Sequence, residues 1–361
     1  MHASWTAPLL LLPLLACGSV PPEPAGRLAG VEEGGQIPPD QVEAQQLVKA
    51  RQLLDDRRLA EAESLLRSMI ETRPELAEAR MLLGRALTET AQGELPDLDL
   101  LQDAETELLI STRLDPAKSE AWLYLGRLYE KEGHFEAALE AYRKSLRSNV
   151  YYKPGLLAAA RLATQLGEER DAIRHLEVLR ARPPVPKEVP PLEARCYLML
   201  SEAVDQEDNQ KEFLERALLA FNEIAEQNPN QPEGKAGQAY CLVRMAQKGF
   251  AAVDEDRIRG LFVDAAGLDP TSPWPSFNLA VFLESDLMHE PDAAIENYRR
   301  ALARQKDHLP SLLNLASLYW NRGDKDQAAT LYVRALPLIK DGRERKRVEA
   351  LLEEASAPRK K

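Results

Sequence analysis

The sequence predicts an all-α array of paired helices stacked in single file. Three observations carry this. Between Ser119 and Tyr152 the apolar and small residues fall on one face of each of two helical stretches: Trp122, Leu125, Gly126 and Tyr129, then, after Gly133, Ala138, Tyr142 and Leu146. The same order of small and bulky residues recurs about eight times between Asp40 and Lys340. Proline stands near the end of many of the second stretches, at Pro74, Pro116, Pro184, Pro229 and Pro270, where it stops a helix and sets the turn into the next pair. One pair of amphipathic helices cannot bury both of its stripes, so each pair needs a neighbouring copy to cover it.

The recurrence is tracked by three anchors. A small residue of the leading helix stands at Ala50, Gly84, Gly126, Ala160, Ser201, Ala239, Ala280 and Ala316. A small residue where the second helix crosses stands at Ala62, Ala104, Ala138, Ala172, Ala217, Ala294 and Ala328, with Ile258 in the sixth copy. A bulky residue one turn later fills the gap: Leu66, Leu108, Tyr142, Leu176, Phe221, Phe262, Tyr298 and Tyr332. The stretch SEAWLYLGRLYEKEGHFEAALEAYRKSLRSNVYY, with Trp122, Leu125, Gly126 and Tyr129 at W-x2-L-G-x2-Y spacing, resembles the tetratricopeptide repeat, a helix–turn–helix unit of about 34 residues. It departs only at Val150, where that family often has proline. The resemblance implies a right-handed superhelical solenoid with leading helices lining the inside, where ligand peptides bind. It also implies a scaffold for protein or peptide partners.

In chain order, residues 1–17 (MHASWTAPLLLLPLLAC) carry an apolar run too short to span a bilayer, which fits the core of a secretion signal. Leu14-Leu15-Ala16-Cys17 resembles the bacterial lipobox and implies a lipid on Cys17; a plain secretory signal with an incidental cysteine is the alternative. No aspartate follows Cys17, which directs the expectation to the outer membrane of a bacterial envelope, with a soluble periplasmic protein as the alternative. Residues 18–39 are rich in Pro, Gly and Glu and are expected to form a flexible tether. Asp40-x-x-Glu43 resembles a capping box, so the first helix is expected to start there. Repeats one to four are assigned to 40–184. A Pro-rich connection (185–191, within RPPVPKEVPP) is expected to be non-helical, and a stiff loop is favoured over a hinge. Repeats five to eight follow at 192–340. Insertions near 93–101, 205–210, 248–256 and His289 are placed at the turns inside pairs, where length costs little. Asp341-x-x-Glu344 opens a polar closing helix, 341–356, and the tail 357–361 is expected to be disordered.

Chemistry is sparse. The net charge of −12 argues against nucleic acid as the main partner. Three cysteines make no disulfide framework, and Cys196 and Cys241 read as packed thiols. None of the five histidines has metal-ligand spacing to another His or Cys, and no nucleophile elbow, phosphate loop or dinucleotide fingerprint is present. The repeats fill the ordered chain, so no enzyme, metal or cofactor is expected, and no small-molecule substrate is identified.

The candidate site is the inner face. The residue after the small anchor should point inward, and in the first four repeats it is Arg51, Arg85, Arg127 and Arg161. Such a ladder, at least roughly 30 Å long, suits an acidic peptide, the carboxy terminus of a protein or an anionic glycan. Equally open is that Glu89, Glu120 and Glu130 neutralise it. In the second half the slot holds Glu202, Tyr240, Val281 and Ser317, and Trp274, Phe277, Leu313 and Trp320 would form an apolar groove if exposed. Core packing is the favoured reading of these aromatics, with Trp320 the best candidate for exposure. Beside a passive scaffold stand two alternatives: an assembly factor for a secretion, pilus or outer-membrane machine, and a non-catalytic subunit of an envelope-polymer enzyme complex.

Overall fold

A computed structural model of the protein describes residues 39–91 and 97–356. The signal, Cys17, the tether up to residue 38 and the tail 357–361 lie outside the described residues. Regular structure among the described residues is entirely helical: an all-α helical repeat fold of seventeen α-helices and one 3₁₀ turn, Leu336–Leu338. The described residues divide into two compact units, one ending at Leu192 and the other beginning at Glu193.

The first unit holds four hairpins: α1 (Pro39–Asp55) with α2 (Leu59–Thr72), α3 (Ala77–Thr90) with α4 (Leu98–Leu114), α5 (Ser119–Lys131) with α6 (Phe135–Ser148), and α7 (Lys153–Leu166) with α8 (Glu169–Arg180). Consecutive helices pack along the file, and the leading helices also touch in the order α1, α3, α5, α7. The second unit takes in α9 (Val189–Ala203, which starts before the boundary), α10 (Glu207–Gln227), α11 (Pro232–Gln247), α12 (Glu255–Leu268), α13 (Trp274–Glu284), α14 (Pro291–Arg304), α15 (Leu309–Asn321), α16 (Lys325–Ala335) and the closing helix α17 (Gly342–Ser356). From α10 to α17 each helix packs against the next.

Every residue of the three anchor series is buried, Ile258 included. The register repeats at the level of single hydrogen bonds. Ser111 and Ser145, each three residues past the bulky anchor, donate Oγ–H at 2.7 Å to the carbonyls of Ala77 and Ser119, at the start of their partner helices. Hairpin turns close in the same way in repeats one, three, four and eight. The amides of Arg58, His134, Glu168 and Asp324 reach back to Leu53, Tyr129, Ala163 and Tyr319 (2.8–3.0 Å). The residue before each has positive φ: Gly133, Gly167 and Gly323 at 78°, 77° and 85°, and Arg57 at 61°. Cys196 and Cys241 are buried, and burial pushes the Cys241 thiol well above its ordinary range.

Three boundaries differ from expectation. The Pro-rich connection is not helix-free to residue 191, because Val189, Pro190 and Pro191 form the first turn of α9. A first turn has no intrahelical acceptor for its N–H groups, so proline there forfeits nothing. The insertion at 205–210 is mostly helical and lengthens α10 to 21 residues, with Glu207 and Asp208 in its first turn, where acids complement the helix dipole. Pro39 opens α1, which puts Asp40 inside the helix rather than at its cap. At the other end the expected cap forms: Asp341 Oδ1 accepts from the amides of Arg343 and Glu344 at 2.9 and 2.8 Å. Val348 of α17 is fully buried, and Ile339 nearly so, where the array closes.

Candidate functional site

The arginine slot on α1, α3, α5 and α7 is occupied in three different ways. Arg51 donates to two carboxylates: Nε and Nη2 to Glu78 (3.1 and 2.8 Å), Nη1 and Nη2 to Glu120 (2.7 and 2.9 Å). Glu78 also accepts from Lys118 Nζ at 2.6 Å. Burial pulls the Glu78 carboxyl upward, but the bonds from Lys118 and Arg51 outweigh it and hold the group below its usual range. The bond to Glu120 lifts the Arg51 guanidinium beyond its already high range.

Arg85 donates to Asp55 Oδ1 at 3.0 Å and to Glu89 Oε1 at 2.8 Å; Arg161 donates to Glu130 at 3.0 Å. These two share a rule. Asp55 and Glu130 lie five and four residues past the small anchor of the preceding repeat, within reach of the slot one repeat on. Arg127 breaks it. The preceding repeat offers Thr88, whose hydroxyl donates to the Gly84 carbonyl at 2.7 Å, and Glu89, which Arg85 takes. Arg127 is therefore exposed and has no carboxylate partner among the described residues.

Arg127 is nonetheless positioned. Its guanidinium lies 5.5 Å from the ring centroid of Tyr124, and that of Arg85 lies 5.6 Å from the same ring. Tyr124 thus carries two cations, one compensated and one open. Burial pushes its phenol upward, so it stays protonated beside them. The slot also brings Arg51 into the Glu78–Glu120 triad, whereas Arg161 pairs further along the file. Each of Glu89, Glu120 and Glu130 touches a ladder arginine, which the spacing anticipated.

In the second unit the apolar groove is not assembled. Tyr240, Phe277 and Leu313 are buried, at 4%, 0% and 6% exposure. Phe277 and Leu313 stand three residues before Ala280 and Ala316, hence on the anchor stripe that faces the second helix, and Phe277 lies 5.9 Å from Tyr298. Tyr240 donates to Glu202 Oε1, the slot residue of the neighbouring repeat, at 2.7 Å. Trp274 and Trp320 are half-buried, edge-on to His308 (4.5 Å) and Tyr332 (6.4 Å).

A coupling within repeats was not read from the sequence. Where the bulky anchor is tyrosine, it meets the residue four past the small anchor of its own leading helix: Tyr142 donates to Glu130, Tyr298 donates to Glu284, and Tyr332 meets Trp320. The signal was present in the co-occurrence of Tyr with Glu or Trp at those two places. Among the described residues no group of three His, Cys, Asp or Glu is placed to hold a metal ion, and no helix is long and apolar enough to cross a membrane.

The tetratricopeptide repeat pattern matches residues 119–149 and 288–354. No curated protein matches the sequence. Among solved structures, the protein is similar to a tetratricopeptide repeat protein from Parabacteroides merdae (14% identity, covering 88% of this chain and 100% of that one, TM-score 0.42). It is also similar to yeast Tom70 (14% identity, 93% and 67%, TM-score 0.44). A third is YrrB, described as a TPR protein with an unusual peptide-binding site (16% identity, 68% and 95%, TM-score 0.37). Tetratricopeptide repeats generally serve as scaffolds for protein or peptide partners, and the fold is typically non-catalytic.

Proposed function

We propose that this protein is a non-catalytic interaction scaffold of the bacterial envelope that binds a carboxylate-bearing segment of a partner protein on its leading-helix face, at Arg127 beside Tyr124. The observation that carries the reading is the open valence of Arg127. Arg51, Arg85 and Arg161 spend their charge on Glu78, Glu120, Asp55, Glu89 and Glu130, so the four-rung ladder reduces to one rung without a carboxylate among the described residues. A guanidinium held against an aromatic ring is partly pre-oriented, which lowers the ordering cost of binding a carboxylate bidentately. Crosslinking in intact cells tests it. Arg127→Glu should reduce capture of the partner on the order of tenfold, the loss of one charge-assisted pair. Recovery equal to that of the unaltered protein would remove the reading.

The placement in the envelope rests on the lipobox-like Leu14-Leu15-Ala16-Cys17. In this reading Cys17 carries the lipid and the residues from 18 up to the start of α1 at Pro39 serve as the tether. Two acyl groups anchor a protein stably where one would not. Cys17→Ala is expected to move the protein from the membrane to the soluble fraction after cell breakage; a variant that stays with the membranes would count against the anchor.

A further inference from the structure

The cations of α14–α16 are treated differently from their counterparts in the first unit. Arg143 follows the bulky anchor Tyr142, and it donates to Glu168 and Asp171 at 2.7 and 2.8 Å, so its charge is closed off. Arg299 occupies the same place after Tyr298. The positions matching Glu168 and Asp171, four and one residues before the crossing alanine, are Asp324 and Gln327. Gln327 is neutral. Asp324 turns to the start of α16, accepting from the Gln327 amide at 3.3 Å and from its side chain at 2.5 Å. Arg299 is left with the neutral hydroxyl of Tyr319, to which it donates at 2.6 Å.

This opening lies in a groove of about 690 Å³ between α14, α15 and α16. Arg299, Lys306 and Arg334 stand around it, over apolar residues that include Leu302, Leu315 and Leu331. Arg334 is steadied by donating to the Lys306 carbonyl at 2.7 Å, again a neutral acceptor. None of the three cations has a carboxylate partner among the described residues, and the one acid lining the groove is Asp307. Each guanidinium spends one hydrogen bond on holding its position and keeps the rest for a ligand. In a protein of net charge −12, three uncompensated cations converging on an apolar floor select for negative charge combined with an aliphatic group.

We propose that this groove binds an extended acidic peptide segment of a partner protein, with its carboxylates on Arg299, Lys306 and Arg334 and an aliphatic side chain on Leu302, Leu315 and Leu331. It is a second binding surface, built from different helices than the Arg127 face and independent of it. The probe is a fluorescein-labelled peptide alternating aspartate and leucine, titrated against the full-length protein at low salt by fluorescence anisotropy. Saturable binding is expected, weakened at least about tenfold by Arg299→Gln with Arg334→Gln and unchanged by Arg300→Gln, an exposed cation paired with Glu296 on the same helix. A peptide in which serine replaces leucine should bind about tenfold more weakly through loss of the buried side chains. Absence of saturable binding, equal affinity for the serine peptide, or retained affinity in the double variant would each overturn the proposal. So would binding lost only on Arg127→Gln, which would assign the peptide to the other face. Photo-crosslinking with a benzophenone-bearing peptide decides the matter on the unaltered protein: attachment at Gln327 or Thr330 is expected, and attachment elsewhere would overturn the assignment.

Discussion

At the residue scale, His308 shows what a packed array does to a titratable group. It precedes α15 with 3% exposure, Nδ1 2.7 Å from Ser311 Oγ, edge-on to the rings of both Trp274 and Phe277, and its Nε2 has no partner. Burial pushes its pKa down from 6.5 to about 4. In that window the unfolded state binds a proton that the folded state refuses, so stability falls as pH drops from the ordinary imidazole value towards the lowered one. The full effect approaches about 3 kcal/mol. His175 is lowered too, by burial and then by Arg174 and Arg143, and adds in the same direction. The contribution of His308 is therefore read by difference. Urea unfolding near neutrality and at about pH 4.5 should show the unaltered protein losing about 1–3 kcal/mol more than His308→Gln; equal losses would assign the acid sensitivity elsewhere.

At the element scale, the hairpin turn is the repeated device. Four of the turns put glycine at the positive-φ position, at Gly133, Gly167, Gly249 and Gly323, and the first puts Arg57 there. An L-residue in that region costs about 1–2 kcal/mol, and glycine returns part of the gain to the entropy of the unfolded state. The Arg57 side chain offers little in compensation, being mostly exposed with only a 3.9 Å approach to Glu89. Arg57→Gly is expected to stabilise the protein by about 0.5–1 kcal/mol in denaturant unfolding; a loss would show that this arginine adds more than its geometry suggests. The same elements show what could be read from the amino acids alone. Helix pairs were legible because each carries its own small-and-bulky signature, and even Ile258, too large for its place, did not prevent α11 and α12 from pairing. The length of α10 was less legible, since an inserted polar run can extend an element as easily as it can loop out. The arginine slot and its neutralising glutamates were visible as spacings. That Arg127 is the open rung was not, because it depends on Thr88 standing one repeat away where Asp55 and Glu130 stand elsewhere. The aromatic groove failed for a related reason: Phe277 and Leu313 share the phase of the anchors, and that phase faces inward to the core.

At the scale of the molecule, the packing within each unit is local. From α1 to α8 and from α10 to α17 each helix touches the next, some leading helices also touch the next leading helix, and Arg51 reaches one repeat further to Glu120. Stability in such an array is close to a sum of hairpin terms and neighbour terms. Function can be distributed on the same plan, since a substitution such as Thr88 or Gln327 alters one place without disturbing the file. The two open cations singled out, Arg127 and Arg299, each arise where an acid of a neighbouring repeat is missing or turned away. A unit packed mainly from link to link has a mechanical consequence. Within each unit, stretching should draw the hairpins out one after another at modest force, so that the unit behaves as a soft, recoiling spring.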